Sequence, residues 1–228
     1  MNRRDLLSFS VSTLCRGVDV TDLQKLLSGV ECRVEKHAKG SIVLLAGSRY
    51  DSLRIILEGE VSAEMHHPNG KVVTIENIAA PDPVAPAILF APARALPVTV
   101  VAATDCRLLV LPLETVLDLC QRDRRFLLNF LTEIGGKISL FAEKFRLLEF
   151  SSLRKRIAAY LSPRLEEGEL TLAFPKEKLA EFLSVARPSL SRELSAMVAE
   201  GILDMDGRRI RVLDRAAFNA IMATDESA

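Results

Sequence analysis

Between residues 30 and 112 the apolar positions fall into short β-branched runs: ECRVEKHA, SIVLLAG, LRIILEGEVSAEM, KVVTIENIA, PVTVVAA and CRLLVLP. Polar and glycine-bearing breaks separate them, among them Glu58-Gly59 and Pro68-Asn69-Gly70. Many short strands with turn signals between them predict an antiparallel roll or sandwich. Ahead of the strands, VTDLQKLLSG reads as a helix that Thr21 or Asp22 could cap.

The period changes at Leu127. From there Leu127, Leu131, Ile134, Ile138, Phe141, Phe145 and Leu148 are spaced 4, 3, 4, 3, 4, 3, a heptad seam over three repeats. A strict seam predicts a helix paired with a second copy of itself, since a helix lying on its own domain usually shows a wider apolar stripe. Gly135-Gly136 interrupts this helix at a cost of about 1 kcal/mol per glycine relative to alanine, which close helix approach or a hinge would justify.

Beyond Ser151-Ser152 the pattern gives LRKRIAAYLSPR, a helix ended by Pro163, and then LTLAF, a short strand. Two helical segments follow, PKEKLAEFL and RPSLSRELSAMVAEG, joined by only Ser184-Val185-Ala186. ILDMDGRRIRVL then reads as two strands around Asp206-Gly207. Helix, strand, helix, turn, helix, hairpin is the order of a winged helix-turn-helix. The expected class is therefore α+β, in three stretches: a β-roll effector or sensor domain over 1–112, a dimerisation helix region over 113–150, and a winged helix-turn-helix over 151–228.

Composition narrows the picture only slightly. A chain of 228 residues suits two small domains, and neither a membrane span nor a secretory signal in the charge-interrupted Met1–Leu14 is visible, so a cytoplasmic protein is expected. Cys15, Cys32, Cys106 and Cys120 lack the close spacing of a zinc or iron–sulfur site and read as reduced packing or surface thiols. Net charge is zero, so any signal for a polyanion must be local. Arg154, Lys155, Arg156 and Arg164 form an acid-free stretch, Arg187 and Arg192 share one predicted helix, and Arg208, Arg209 and Arg211 share one hairpin.

The second helix of a helix-turn-helix buries one face and offers the other to the major groove. Leu190, Leu194, Met197 and Val198 give the expected buried stripe, facing Leu179, Phe182 and Leu183. Arg187, Ser189, Ser191, Arg192 and Ser195 remain for DNA: arginine donates bidentately to guanine, and serine bonds phosphate or base. Pro188 suits a first helical turn. Lys176, Arg208 and Arg209 complete the candidate surface.

VARPSLSRELSAMVAEGIL, preceded by PKEKLAEFLS and followed by DGRRIRVL, resembles the DNA-binding domain of the cyclic-AMP receptor protein and fumarate-nitrate regulator (Crp/Fnr) family. LRIILEGEVSAEMHHPNGKVVTI resembles that family's β-roll, and the heptad helix falls where the family places its dimer helix. The resemblance implies a homodimeric transcription regulator that is not an enzyme, binds double-stranded DNA at a palindromic operator, and meets RNA polymerase if it activates. Arg187 and Arg192 match the two recognition arginines and Ser189 the Ser/Thr between them. Pro188 stands where a glutamate is common, which implies a different operator, because proline cannot accept from cytosine N4.

The sensor departs further. The family's cyclic-nucleotide site pairs Gly-Glu on a short helix with Arg-Ser on the next strand, and the aligned positions here are Ala85-Pro86 and Leu96-Pro97. Losing the phosphate's cation and the ribose's acceptor argues against cyclic AMP. Ile88, Phe90, Arg94 and Val98 are the candidate lining of an effector pocket. AILFAPARALPVTVVA resembles a subgroup regulating hybrid-cluster protein genes under nitrosative stress, some members of which use haem; Met65, His66 and His67 are the candidate axial ligands, with His37 the only other histidine. The cysteine run of a fumarate-nitrate-type cluster is absent. Two rival readings are a cupin-like metalloenzyme, disfavoured by three histidines without an H-x-H run, and a small-molecule-binding module that signals through a protein partner without touching DNA.

Overall fold

The computed structural model describes residues 1–67 and 70–223, so the Pro68-Asn69 step of the expected turn and the last five residues lie outside it. Chain order begins with α1 (Arg3–Ser10), a 3-10 turn (Thr13–Cys15) and α2 (Val20–Leu26). Eight strands follow: β1 (Arg33–His37), β2 (Ile42–Leu44), β3 (Ser52–Glu58), β4 (Glu60–His66), β5 (Val72–Ala79), β6 (Pro83–Val84), β7 (Thr99–Ala102) and β8 (Cys106–Pro112). They form two four-stranded antiparallel sheets, β1-β8-β3-β6 and β2-β7-β4-β5, whose apolar faces share one core. The expected roll is present. Neither Thr21 nor Asp22 caps α2, however: Asp19 occupies the cap position, which leaves both inside the first turn.

β3 and β8 are buried nearly throughout, Leu53, Ile55, Ile56 and Leu57 on one and Leu108 to Leu111 on the other. Both faces of this pair are covered, because α1 packs on β3 and the helix after β8, α3 (Leu113–Arg122), packs on both strands. A strand covered on two sides reads as a continuous apolar run rather than an alternation, which is why RIIL and LLVL lack a period of two. β5, with one face open, does not show such a run.

Gly59 makes the β3–β4 connection at φ +88°, and a Cβ built there would fall on the Asp105 carbonyl oxygen and within 2.8 Å of Thr104 Oγ1. Only glycine suits both the left-handed backbone and the close approach of the neighbouring loop.

The 113–150 stretch is two helices rather than one. Asp123 separates α3 from α4 (Arg124–Leu148), accepting from the amides of Arg125 at 2.7 Å and Phe126 at 3.3 Å, so a single carboxylate starts the long helix. Hydrogen bonds from the Arg125 side chain hold that carboxyl below the usual carboxylate range. Two compact units, Met1–Lys137 and Ile138–Ala228, meet inside α4 directly after Gly135-Gly136, so the stretch is shared between them.

Along α4 the apolar seam is divided. Leu131, Ile138, Phe141, Phe145 and Leu148 are exposed, by 71% at Phe145 and 61% at Ile138. Ile134 packs instead against the roll's core, beside Phe126 and Phe130, and Leu127 is only half-exposed. The exposed apolar residues thus run from Leu128 and Leu131 past the glycine pair to Phe145 and Leu148, while Ile134 of the expected seam packs on the roll's core. A straight helix drifts about 20° per heptad against a 3.5-residue repeat, so a seven-residue pattern cannot keep one face along its whole length. No described helix is long and apolar enough to cross a membrane.

The second unit holds α5 (Leu153–Leu161), β9 (Glu169–Thr171), α6 (Lys176–Phe182), α7 (Arg187–Ala199), β10 (Leu203–Asp206), β11 (Arg209–Val212) and α8 (Arg215–Ala223), with a three-stranded sheet in the order β10-β11-β9. The α+β class and the winged helix-turn-helix order are as expected. α8 is an addition: Asp214 accepts from the Ala217 amide at 2.9 Å and Phe218 drops into the core, a capped amphipathic turn visible in DRAAFNAIM.

Gly59→Ala should destabilise the roll by about 2 to 4 kcal/mol, the sum of left-handed strain and an overlap with main chain. A urea melt followed by tyrosine fluorescence, with Tyr50 buried in this core, checks it; a loss under about 1 kcal/mol would mean the Asp105 loop yields freely.

Candidate nucleic-acid interface

α6 and α7 are joined by Leu183–Ala186, and the turn is closed by a Schellman motif: Val185 N donates to Ala180 O at 2.9 Å and Ser184 N to Glu181 O at 3.1 Å. Ser184 sits at the left-handed position of that motif, φ +56°. The same motif closes α7, with Ile202 N on Met197 O and Gly201 N on Val198 O, both at 3.0 Å, and there glycine holds the left-handed position at φ +71°. Ser184 bears a cost that Gly201 avoids, about 1 kcal/mol for a non-glycine residue in this region.

Leu190, Leu194 and Met197 are buried against the unit's core with Leu179 and Leu183, as the spacing predicts. Val198 is the exception, 37% exposed, since eight residues after Leu190 the helix has turned it to the flank. Opposite the buried stripe, Pro188, Arg192, Ser195 and Ala199 are exposed at spacings of 4, 3 and 4. Arg187 is exposed beside them, and Ser189 and Ser191 are half-buried at the margins. α7 therefore shows solvent a small-residue stripe flanked by two arginines, narrow enough for a groove and carrying donors.

The arginines are held loosely. Arg187 Nε lies 2.9 Å from Glu177 Oε1, both exposed, and Arg192 Nε reaches the Pro188 carbonyl at 3.4 Å. Exposed ion pairs contribute about 0 to 1 kcal/mol, whereas a bidentate arginine–guanine pair gives about 1 to 3 kcal/mol of discrimination, so both are available to DNA. Lys176, the first residue of α6, is half-exposed. Pro188 stands in the first turn of α7, as expected.

In the wing, Asp206 pairs with Arg209, so the two turn residues are Gly207-Arg208 rather than the expected Asp206-Gly207. Gly207, φ +58°, takes the first position, and this places Arg208 at the exposed tip. Arg209 and Arg211 point the other way in function: both are bound by Glu169 of β9, Arg211 Nε to Oε1 at 2.7 Å and Arg209 Nε to Oε2 at 3.0 Å. Hydrogen bonds from these two arginines hold the Glu169 carboxyl below its ordinary range. Arg209 is thus partly neutralised, and Arg208 is the wing's better candidate for phosphate.

The basic stretch from Arg154 to Arg164 is engaged within the chain. Arg154 is engaged by Glu193 and Glu200, Arg164 by Glu143, and Arg156 Nε by the Phe150 carbonyl at 3.1 Å, while Lys155 is buried. A sequence window of one residue type cannot show acids 39 to 46 residues distant that fold onto it.

On the roll, the positions aligned with a nucleotide site are apolar; Pro86 and Leu96 are buried, Ala85 is half-buried and Pro97 is exposed. Ala85, at φ +46°, precedes a 3-10 turn over Pro86–Phe90; Pro86 is buried, and Leu96 is 2% exposed in the core. The four candidate pocket residues engage different neighbours: Ile88 the core's edge, Phe90 the Phe130 ring edge-on at 5.6 Å, Arg94 the Asp51 carboxylate at 3.7 Å, while Val98 is half-buried. Sequence reading missed a polar cluster between β5 and α4, where Lys137 pairs with Glu76 and Glu133 accepts from Thr13 Oγ1 at 2.8 Å. Burial, followed by the charge of Glu133, lifts the Asp82 carboxyl there above its ordinary range, against Lys137.

Met65 and His66 are consecutive in β4 and so point to opposite faces; His66 Nε2 lies 3.3 Å from Glu64, His67 follows the strand, and His37 Nε2 lies 3.5 Å from Glu35. Among the described residues no group of three or more His, Cys, Asp or Glu side chains is placed to hold a metal ion. The four cysteines are free, and burial pushes the Cys15 thiol up to about 12.

Two family models match the chain: a Crp-like helix-turn-helix domain over residues 155–221 and a cyclic nucleotide-binding domain over residues 34–123. The chain has the domain make-up of a Crp/Fnr-type regulator. Among solved structures it is similar to a transcriptional regulator from Thermotoga maritima, at 33% identity over 56% of this chain and 98% of that one, with a TM-score of 0.51. The catabolite activator protein of Thermus thermophilus shares the fold at 20% identity, covering 92% and 98% of the two chains with a TM-score of 0.53. A CooA variant from Carboxydothermus hydrogenoformans does so at 18% identity, covering 93% and 100%, with a TM-score of 0.58. No curated protein sequence matches. The helix-turn-helix match contains both α6 and α7.

Ser184→Gly should raise stability of the DNA-binding unit by about 1 kcal/mol, and Gly201→Ala should lower it by a similar amount. Paired thermal melts of the two variants check this, with opposite signs expected.

Proposed function

We propose that the chain is an effector-responsive, sequence-specific transcription regulator that acts as a homodimer on a palindromic operator, with α7 reading the major groove. One observation carries this reading: the face of α7 opposite Leu190, Leu194 and Met197 is open, lined with small residues and flanked by Arg187 and Arg192. Arg187, Pro188, Ser189, Ser191, Arg192 and Ser195 supply base and backbone contacts, and Lys176, Arg208 and, less freely, Arg209 supply phosphate contacts.

The homodimer is supported by α4. Covering an exposed Leu, Ile or Phe contributes about 1.5 to 3 kcal/mol, so the five exposed seam residues of each copy can together exceed the association cost of about 4 to 15 kcal/mol. Around Gly135 and Gly136 an added Cβ would meet nothing within 4 Å, which leaves room for a partner helix at the step where the seam needs it.

Cyclic AMP is not the proposed input. With Leu96 in the core, a phosphate would find no buried cation at the aligned position. The proposed effector is a ligand other than a cyclic nucleotide; haem remains a candidate class through His66 or His67 singly, and the absorption spectrum of protein from its native host tests it by a Soret band. A role for RNA polymerase follows if the regulator activates.

Arg192→Ala should weaken binding to a cognate half-site by about 1 to 3 kcal/mol and relax one base position, while Arg208→Ala should weaken all sequences alike and reduce the salt slope by about one. Footprints and anisotropy titrations on fragments selected from genomic DNA read both, and an unchanged Arg192→Ala profile would remove α7 from the role. Phe145→Glu should convert the dimer to monomer in sedimentation and lower operator affinity by about a hundredfold through lost avidity. A dimer that persists would place the interface elsewhere.

A further inference from the structure

α5 is tied at both ends by arginine forks. At its C-terminal end Arg164 grips Glu143 of α4 with two parallel bonds, Nη1 to Oε1 at 2.6 Å and Nη2 to Oε2 at 2.7 Å. The same guanidinium lies 4.0 Å from the centre of the Tyr160 ring and donates to the Tyr160 carbonyl at 2.9 Å, so its plane is fixed from a second side. Tyr160 in turn meets Phe182, the last residue of α6, edge-on at 5.6 Å.

At the N-terminal end Arg154 spans two turns of α7. Its Nε reaches Glu193 Oε1 at 2.6 Å, and its two Nη groups reach the two oxygens of Glu200 at 2.7 Å each. Glu193 and Glu200 lie seven residues apart on the flank of the helix that carries Arg187 and Arg192.

These residues are partly exposed, so the pairs add little to stability, but a planar guanidinium holding both oxygens of a carboxylate fixes direction as well as distance. Their effect should therefore appear in pose rather than in melting temperature. We propose that Arg164 and Arg154 are positioning residues that make α5 a strut, holding α7 at one orientation to the last turns of α4, so that the two α7 helices of a dimer keep a single half-site spacing. The proposal rests on the dimeric DNA-binding reading.

Rigid coupling makes a palindrome cooperative only when its half-sites lie about one helical turn apart, whereas a loosened coupling tolerates several spacings and gains less from having two. The test titrates full-length protein by fluorescence anisotropy against a selected palindrome, the same palindrome with one or two base pairs inserted or removed at its centre, and a single half-site. For the wild type, altered spacing should weaken binding about tenfold or more. For Glu143→Gln, Arg164→Met and Arg154→Met that penalty should fall to about threefold or less, with half-site affinity within about twofold and unchanged melting temperature.

Glu143→Gln combined with Arg164→Met should be no worse than either alone, because both remove one contact. Arg164→Lys, which keeps the charge but not the fork, should behave like Arg164→Met. A wild-type spacing penalty in Glu143→Gln, which is near-isosteric and partly exposed, overturns the strut. So does an equal loss on palindrome and half-site, which would make the contacts merely structural. Wild-type protein that binds no DNA fragment at all overturns the DNA-binding reading instead, and the strut with it.

Discussion

Helix α4 carries apolar side chains on more than one face, and the chain itself covers only part of them. Phe126, Phe130 and Ile134 complete the core of the roll, and Leu147 that of the second unit. What is left over is a stripe of leucine, isoleucine and phenylalanine about five turns long with water on it. Such a stripe is a standing free-energy cost until something apolar covers it. Because the boundary between the two units falls within this helix, whatever covers the stripe touches the sensor's end and the DNA-binding end of one continuous element.

The second constraint is where the arginines go. With no net charge to draw it to a polyanion, the protein depends on a few cations that are free to leave their partners. Several in the second unit are engaged: Arg154, Arg164, Arg209 and Arg211 each face a carboxylate that folds onto them from another element. Arg187, Arg192 and Arg208 differ in being exposed, weakly held, and placed on the open face of α7 or the wing's tip. Architecture and interface thus use the same residue type, separated by geometry rather than by charge density.

That separation marks the limit of what the amino-acid order discloses. Periodicity located the roll, the long helix, the helix pair and the wing, because each has a local signature of two, three and a half, or a turn residue. It also found Leu190, Leu194 and Met197, and hence, by subtraction, the open face proposed to read DNA. It failed wherever a distant residue decides. The acid-free run from Arg154 to Arg164 looked like a phosphate patch because Glu143, Glu193 and Glu200 are not in it. Ile134 looked like seam because nothing local says that the roll's core lies beneath it. The wing turn was misplaced by one residue because Asp-Gly and Gly-Arg both suit a two-residue hairpin, and only the β10–β11 register chooses.

The sensor is where local and distant information point the same way without naming a ligand. Replacing a buried phosphate partner by Leu96 closes the space with hydrocarbon, and the neighbouring Pro86 stiffens the turn that would otherwise hold a ribose. Beside it lies a polar cluster in which Glu76 and Asp82 of the roll meet Glu133 and Lys137 of α4, and the Asp82 carboxyl is lifted above its ordinary range. Burial is the larger cause of that lift and the charge of Glu133 the next, with Lys137 opposing both. Lys137 is also the last residue of the first unit, one step beyond Gly135-Gly136. Under the proposed reading, an input that alters the Glu76–Lys137 pair therefore acts on α4 at the point where its sensor half ends and its DNA-binding half begins, which is where a two-state element coupling the two sites would have to be addressed.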